Sequence, residues 1–302
     1  MVRVGCVPYV NALPLVAWFE SLGDQSPVQL IYEVPSRLPA LLESGAADAI
    51  MVSSVDALMT PGRRIAEGVC IGSHGPVKSV RVLSKVPPAE IRSLAWDQSS
   101  MTSNRLAEIV LSQGYGAKFD SITLPPDQKL MLERCDACVL IGDIGMLADG
   151  TGLFDLDLGE EWRKLTGKPF VWAGWIGNER LTPDLVLFLQ TAAALSTAGK
   201  QPPAIFSERF ILRRWFEEAA GVFLPHFEKL LDFAQEKSGW TREMLEDYYH
   251  RVIVYELSGQ MLDGLREFQS RLLAQGYAEC RHFPEIVSGS LSDSPMSGLL
   301  SS

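Results

Sequence analysis

The sequence is short of cysteine, histidine, positive charge and long apolar runs, and each shortage excludes something. Five cysteines (Cys6, Cys70, Cys135, Cys138, Cys280) in 302 residues are odd in number and irregular in spacing. They make no disulfide framework and point to a reducing compartment. Cys135 and Cys138 have CxxC spacing, but no second pair exists, so they read as buried structural thiols. The four histidines (His74, His226, His250, His282) show no HExxH or related ligand spacing, so no metal site is expected. Lys and Arg number 27 against 37 Asp and Glu, a net charge of -10. Nucleic acids and anionic membranes require basic surface, so neither is expected as a partner. No run is long enough to span a bilayer. The apolar N-terminal stretch is broken by Pro8, Asn11 and Pro14 and lacks the core of a secretion signal. A cytoplasmic location is therefore expected. A P-loop, a Rossmann glycine fingerprint and a GxSxG elbow are also missing, which removes support for nucleotide, flavin and acyl-hydrolase chemistry.

What is there is an ordinary globular composition, 47% apolar and 21% charged, at a length suited to about two domains. To about residue 175, strand and helix patterns alternate. Strands are expected at Val2–Val7, Val28–Val34, Asp48–Ser53, Val77–Ser84, Ser93–Trp96, Phe119–Leu124, Ala137–Ile141 and Phe170–Trp175. Such alternation predicts an α/β protein with mostly parallel sheets. The C-terminal third reads as helical. Thr182-Pro183-Asp184 and Thr241 are helix starts, and Met261–Leu272 keeps helical spacing up to Gly276. The serine- and glycine-rich stretch 287–302 reads as a flexible tail. Proline pairing at Ser84–Pro88 and the segment Gly174–Asn178 are expected to be crossings between two lobes. The second lobe would then be residues 85–175, inserted into a first lobe made of 1–84 and 176–286. A ligand would bind between them, at the carboxyl ends of the strands.

One junction recurs in the α/β part. A short apolar run ends, small hydroxyl or amide residues follow, and an amphipathic helix begins. It occurs at Asn11, at Ser53-Ser54, at Asp97–Ser103 and at Gly142-Asp143. The first turn of a helix has amide N–H groups without partners and partial positive charge. Such ends bind anions without lysine or arginine. Several facing one cleft point to a pocket for a small carboxylate-bearing molecule. Each of these residues also has a plain structural reading. Asn11 and Asp143 have the chemistry of helix caps. The run Ser99, Ser100, Thr102, Ser103 offers more hydroxyls than one cap needs. Trp172 and Trp175 read as core, with one ring free to line a cleft. His74, in a Gly-Ser-His-Gly-Pro loop upstream of Ser79, is the one histidine worth testing as a general acid.

Taken in order, these segments resemble a known family. They are Val7–Pro14, Asp48–Asp56, Gly75–Ser79, Asp97–Ser103, Val139–Asp143, Asp157–Trp162, Thr166–Trp172, Tyr255-Glu-Leu and Gly264–Phe268. The chain looks like the chorismate dehydratase of the futalosine route to menaquinone, over nearly its whole length to about residue 280. The resemblance implies a two-lobed fold like that of type 2 periplasmic binding proteins. It implies a lyase that removes water from chorismate, a cyclic dicarboxylate, to give 3-[(1-carboxyvinyl)oxy]benzoate, with no cofactor. By position it makes Asn11 and Ser79 the catalytic pair, and Ser53, Ser100, Thr102, Ser103, Gly142 and Asp143 the residues that meet substrate. Val10 stands where leucine is usual, and Trp172 and Gly174 where Phe and Val are usual. The rival expectation is a non-catalytic binding protein or sensor for a small carboxylate, since fold does not settle function.

Overall fold

Apolar runs that end in small polar residues become strands, and the segments after them become helices, as their patterns require. The computed structural model describes residues 1–197 and 227–290. The chain opens with β1 (Val2–Cys6), α1 (Leu13–Ser21), β2 (Val28–Tyr32), α2 (Leu38–Glu43), β3 (Ala49–Ser53), α3 (Ser54–Met59) and β4 (Arg64–Ser73). It continues with β5 (Arg81–Ser84), β6 (Ser93–Asp97), α4 (Thr102–Ile109), β7 (Asp120–Leu124), α5 (Gln128–Arg134), β8 (Ala137–Leu140), α6 (Gly142–Leu147), β9 (Phe154–Asp157) and α7 (Leu158–Thr166). Then come β10 (Phe170–Gly177), α8 (Pro183–Thr197), α9 (Phe227–Ser238), α10 (Arg242–Asp247), α11 (Gly259–Ala274) and β11 (Glu285–Val287).

The strands form two mixed sheets, one per lobe. The first has the order β11-β4-β10-β3-β1-β2, the second β7-β6-β8-β5-β9. In the first, β1 runs parallel to β2 and β3, while β10 lies antiparallel between β3 and β4. In the second, β6 runs parallel to β7 and β8, and β5 lies antiparallel between β8 and β9. The carboxyl ends of β1, β3, β6 and β8 carry the recurring junctions of the sequence. The C-terminal helices pack on the first sheet, α8 against α1 and β4, and α11 against β10.

Sheet membership moves the expected crossings. Ser84 pairs with Ala137 and Phe154 inside the second sheet, and Gly174 pairs with Val52 and Cys70 inside the first. The chain therefore leaves the first sheet after Ser73, enters the second at Arg81, and returns between Asp157 and Phe170. The proline pair at Pro87-Pro88 opens a 3₁₀ turn between two strands of the second sheet rather than a crossing. The return follows Gly167, whose φ of 73° ends α7 in the left-handed conformation that glycine adopts without strain. Three strands were not expected. β4 is broken up by Gly68 (φ 78°) and by register shifts against β10, so its apolar pattern looks like a loop. β9 is short and mostly exposed. β11 pairs parallel with Arg64–Ala66, and the Ser290 N–H donates to the Pro183 carbonyl at 3.2 Å. The expected tail of 287–302 is thus docked through Ser290, and 291–302 lie outside the described residues.

One continuous core runs through both lobes. Trp162, Phe170 and Phe268 meet edge to face at 5.0–6.0 Å between ring centres and tie α7 and α11 to β10. The Trp162 indole donates to the Pro169 carbonyl at 3.0 Å. Cys135 and Cys138 lie in a small separate cluster with Leu83, Met131 and Leu140. Burial pushes both thiols up, away from the thiolate that redox or metal chemistry needs.

Candidate functional site

The two sheets face each other across a cleft of about 550 Å³, counted to its open mouth. Seven of the eight expected site residues line it: Asn11, Ser53, Ser79, Ser100, Thr102, Ser103 and Gly142. Val7, Ile71, Trp172 and Ile253 supply apolar walls. Among the described residues, the lining carries no charged side chain. Any anion held here meets amides and hydroxyls rather than lysine or arginine.

The helix ends divide into two groups. Four starts away from the cleft are closed by side chains. Asp127 accepts from Leu130 N–H, Asp157 from Gly159 and Glu160, Thr241 from Met244, and Ser258 from Met261. At the cleft they are not. The starts of α1, α3, α4 and α6 carry no side-chain cap bond. The hydroxyls and amides there were readable as caps, and the structure does not use them so. The α3 start is met instead across the lobes: the Val55 N–H donates to Thr102 Oγ1 at 3.0 Å. Thr102 Oγ1 also lies 3.5 Å from Ser54 Oγ, which donates to the Val171 carbonyl at 2.6 Å. Thr102 lines the cleft, but its hydroxyl is committed to holding the lobes together.

Asn11 sits in a 3₁₀ turn (Val10–Ala12) ahead of α1. Its Oδ1 is buried and has no hydrogen-bond partner among the described residues. A buried unpaired acceptor costs about 1–3 kcal/mol, so a group that donates to it is expected from the ligand. Three tyrosines from the far end of the chain hold this turn and its neighbour. The Tyr249 hydroxyl donates to the Val10 carbonyl and the Tyr255 hydroxyl to the Asn11 carbonyl, each at 2.9 Å. The Tyr248 Oη lies 2.8 Å from Ser79 Oγ.

Ser79 is held by a carboxylate behind it. Asp157 caps α7 and also accepts the Val77 N–H at 3.0 Å and the Lys78 N–H at 2.6 Å. Lys78 has φ 63°, a strained conformation for a residue with a side chain, and its ammonium pairs with Asp247. On the other side, Gly145 of α6 lies so close that a Cβ there would stand 2.3 Å from the Ser79 carbonyl oxygen and 2.9 Å from that of Leu140. Both obstacles are backbone. Gly145→Ala is therefore expected to destabilise the protein by about 1–3 kcal/mol, read by urea unfolding, with α6 displaced from the Ser79 loop. A loss below about 0.5 kcal/mol would show the approach to be loose.

Asp143 is the expected site residue that does not line the cleft. Its carboxylate accepts the Val10 N–H from the opposite lobe, so it too links the lobes. Burial outweighs that bond and pushes its carboxyl up to about 6. Against an unfolded value of about 3.9, the native state then binds the proton more tightly. Stability from this group is complete below about pH 4 and is lost as pH rises through about 6. Asp143→Asn keeps an acceptor for Val10 and removes the charge. It is expected to match the wild type at pH 4 and to exceed it by about 1–2 kcal/mol at pH 7, the partly open position reducing the full linkage. Unfolding curves from pH 4 to pH 8 check this, and a wild type that gains stability over that range relative to the variant would contradict it. Asp97, at the end of β6, is likewise raised by burial, while two bonds from Ser99 pull the other way. The Asp143 shift weakens negative charge beside the cleft. Tyr9 completes the lobe contacts: its hydroxyl bonds Ser99, and its ring lies 3.5 Å from where a Cβ on Gly142 would stand.

Sequence reasoning missed Tyr248 and Tyr249. The signal was there in Asp247-Tyr-Tyr-His250, because paired tyrosines in a helical segment need hydroxyl partners when buried. His74 is exposed and does not line the cleft, so it is not placed as an acid. Trp172 lines the cleft with its indole donating to Ser73 Oγ at 3.1 Å, while Trp175 is core. Among the described residues, no three His, Cys, Asp or Glu side chains are grouped to hold a metal ion. No helix among them is long and apolar enough to cross a membrane.

The protein AF1704 of Archaeoglobus fulgidus is similar with a TM-score of 0.67 at 17% identity, over 91% of this chain and 97% of that one. The ligand-binding component of an ABC-type import system from Staphylococcus aureus follows with 0.62 at 12% identity, over 95% and 96%. The periplasmic aliphatic sulphonate binding protein SsuA of Escherichia coli gives 0.57 at 11% identity, over 97% and 95%. At these identities the likeness is one of fold, and the fold is that of periplasmic binding proteins. A family model described as menaquinone biosynthesis matches residues 2–274, which takes in both lobes and every residue of the cleft. The chain belongs to the menaquinone biosynthesis family.

Proposed function

We propose that the protein is a lyase that dehydrates chorismate to 3-[(1-carboxyvinyl)oxy]benzoate in menaquinone biosynthesis. The observation that carries this is the cleft's chemistry. Hydroxyls and uncapped helix ends from both lobes surround an apolar slot, with no charged side chain in the lining. That suits a flat ring bearing two carboxylates. In a protein of net charge -10, the local donors have to oppose the global field.

The reaction breaks one ring C–H bond and the neighbouring C–O bond. The C–H electron pair becomes the new ring double bond, and hydroxide departs. Aromaticity drives the step, and no electrons leave the substrate. Among the described residues, the lining offers no carboxylate, imidazole or amine to serve as base. The substrate's own enolpyruvyl carboxylate takes the proton and then yields it to the departing hydroxide, completing one water. Asn11 and Ser79 hold the reacting carbons, and Ser53, Ser100, Ser103 and the Gly142 amide receive the carboxylates. Placement of this kind supplies up to ~7–11 kcal/mol of a barrier reduction.

The test is the ultraviolet spectrum of purified protein mixed with excess chorismate. A benzoate-like spectrum that grows through many turnovers is the expected result. Stoichiometric binding with an unchanged chorismate spectrum would instead make the protein a binding protein or sensor.

A further inference from the structure

We infer that Tyr248 is a positioning residue: it fixes the hydrogen-bond polarity of Ser79, so that Ser79 presents a donor, beside the Asn11 acceptor, to one substrate hydroxyl. Its role rests on the dehydration proposed above. Tyr248 is 1% exposed, and its oxygen lies 2.8 Å from Ser79 Oγ. Ser79 Oγ is the hydrogen-bond partner of that oxygen among the described residues. Burial keeps the phenol protonated, so it has one proton to give. A buried phenol proton needs an acceptor, and here it goes to Ser79 Oγ. Ser79 then turns its own O–H into the cleft. Beside it in the cleft lining, Asn11 Oδ1 is a buried acceptor without a partner among the described residues.

A donor beside an acceptor is the complement of an alcohol, which both accepts and donates. In chorismate the matching group is the ring hydroxyl that leaves. Ser79 donates a hydrogen bond to the departing oxygen and keeps its own proton; the proton that completes water comes from the substrate carboxylate. The frame suits this role. Tyr248 opens a π-helical turn, Tyr248–Val252, and Trp240 packs edge to face on its ring at 5.0 Å. Single π turns are frequent at functional sites.

Tyr248→Phe removes the hydroxyl and leaves the ring on Trp240. Expected is a fall in kcat of about 10- to 100-fold, with KM and product binding within about threefold of wild type. Ser79→Ala is expected to lose kcat by at least as much, and the double variant no more than Ser79→Ala alone, because Tyr248 acts through Ser79. An unchanged kcat in Tyr248→Phe, a loss confined to KM, or additive losses in the double variant would overturn the inference. Should Tyr248→Phe not fold, an unchanged kcat in Ser79→Ala would overturn it by itself. Wild-type protein run beside them separates the two claims. If it leaves chorismate unchanged, the dehydration fails; if it turns chorismate over and Tyr248→Phe does so equally fast, only the role of Tyr248 fails.

Discussion

Asn11→Ala is expected to lower the turnover of chorismate by about 10²- to 10³-fold while leaving the melting temperature within a few degrees of wild type. The two halves of this expectation have one origin. Asn11 Oδ1 is buried without a partner in the free protein. Its removal relieves a desolvation cost of about 1–3 kcal/mol, and this offsets the contacts that the side chain loses. A residue kept for packing or capping would behave in the opposite way, since alanine would then cost stability and spare activity. Asn11 makes no cap bond for the turn that it occupies or for α1. Asn11→Asp adds a sharper contrast. It keeps the shape but sets a carboxylate one residue from Val10, which Asp143 contacts, and against an anionic substrate. Weaker substrate binding is expected there in addition to lost turnover. Separate measurements of product binding, turnover and melting temperature distinguish these outcomes. Full turnover in Asn11→Ala would remove the residue from the mechanism.

The largest effect on stability is expected from Asp157→Ala. Its carboxylate accepts N–H groups of Val77, Lys78, Gly159 and Glu160, and so serves two segments at once. Alanine would strip the cap from α7, a loss of about 1 kcal/mol, and leave the partly buried Val77 donor and its Lys78 neighbour unpaired at about 1–3 kcal/mol more. A total of about 2–4 kcal/mol is a large part of a typical domain's stability. Asp157→Asn is expected to be almost as harmful, because its NH₂ would point at N–H donors where an oxygen stood. Because the Val77–Ser79 turn carries Ser79 into the cleft, turnover is expected to fall in any variant that still folds. Urea unfolding of both variants measures the effect. A cost below about 1 kcal/mol for Asp157→Ala would show that the turn holds itself.

Much of this architecture was legible because strand ends and helix starts follow local rules. The runs at Val2–Cys6, Ala49–Ser53, Ser93–Asp97 and Ala137–Leu140 end where small polar residues begin, and each is followed by a helix. The cleft could be read from those four junctions, and Asn11, Ser53, Ser100, Thr102, Ser103 and Gly142 do meet there. What escaped was non-local. β4 hides behind Gly68 and a bulged register, so its ladder is visible only once β10 lies beside it. Pro87-Pro88 looks like a boundary because proline marks turns, and it does mark one, but between strands of the same sheet. Asp143 and Thr102 have the chemistry of ligand contacts, and the structure commits both to the opposite lobe. Tyr248 reaches Ser79 from 169 residues away, a distance over which spacing carries no information.

The central claim is that neutral donors from two lobes hold a dianionic ring and arrange its loss of water. A crystal structure of the protein with 3-[(1-carboxyvinyl)oxy]benzoate tests it most directly. Both carboxylates are predicted to lie on hydroxyls and backbone amides at the starts of α3, α4 and α6. Asn11 Oδ1 and Ser79 Oγ should flank the ring carbon that carried the hydroxyl. A carboxylate paired with lysine or arginine, or a product seated outside this cleft, would contradict the account.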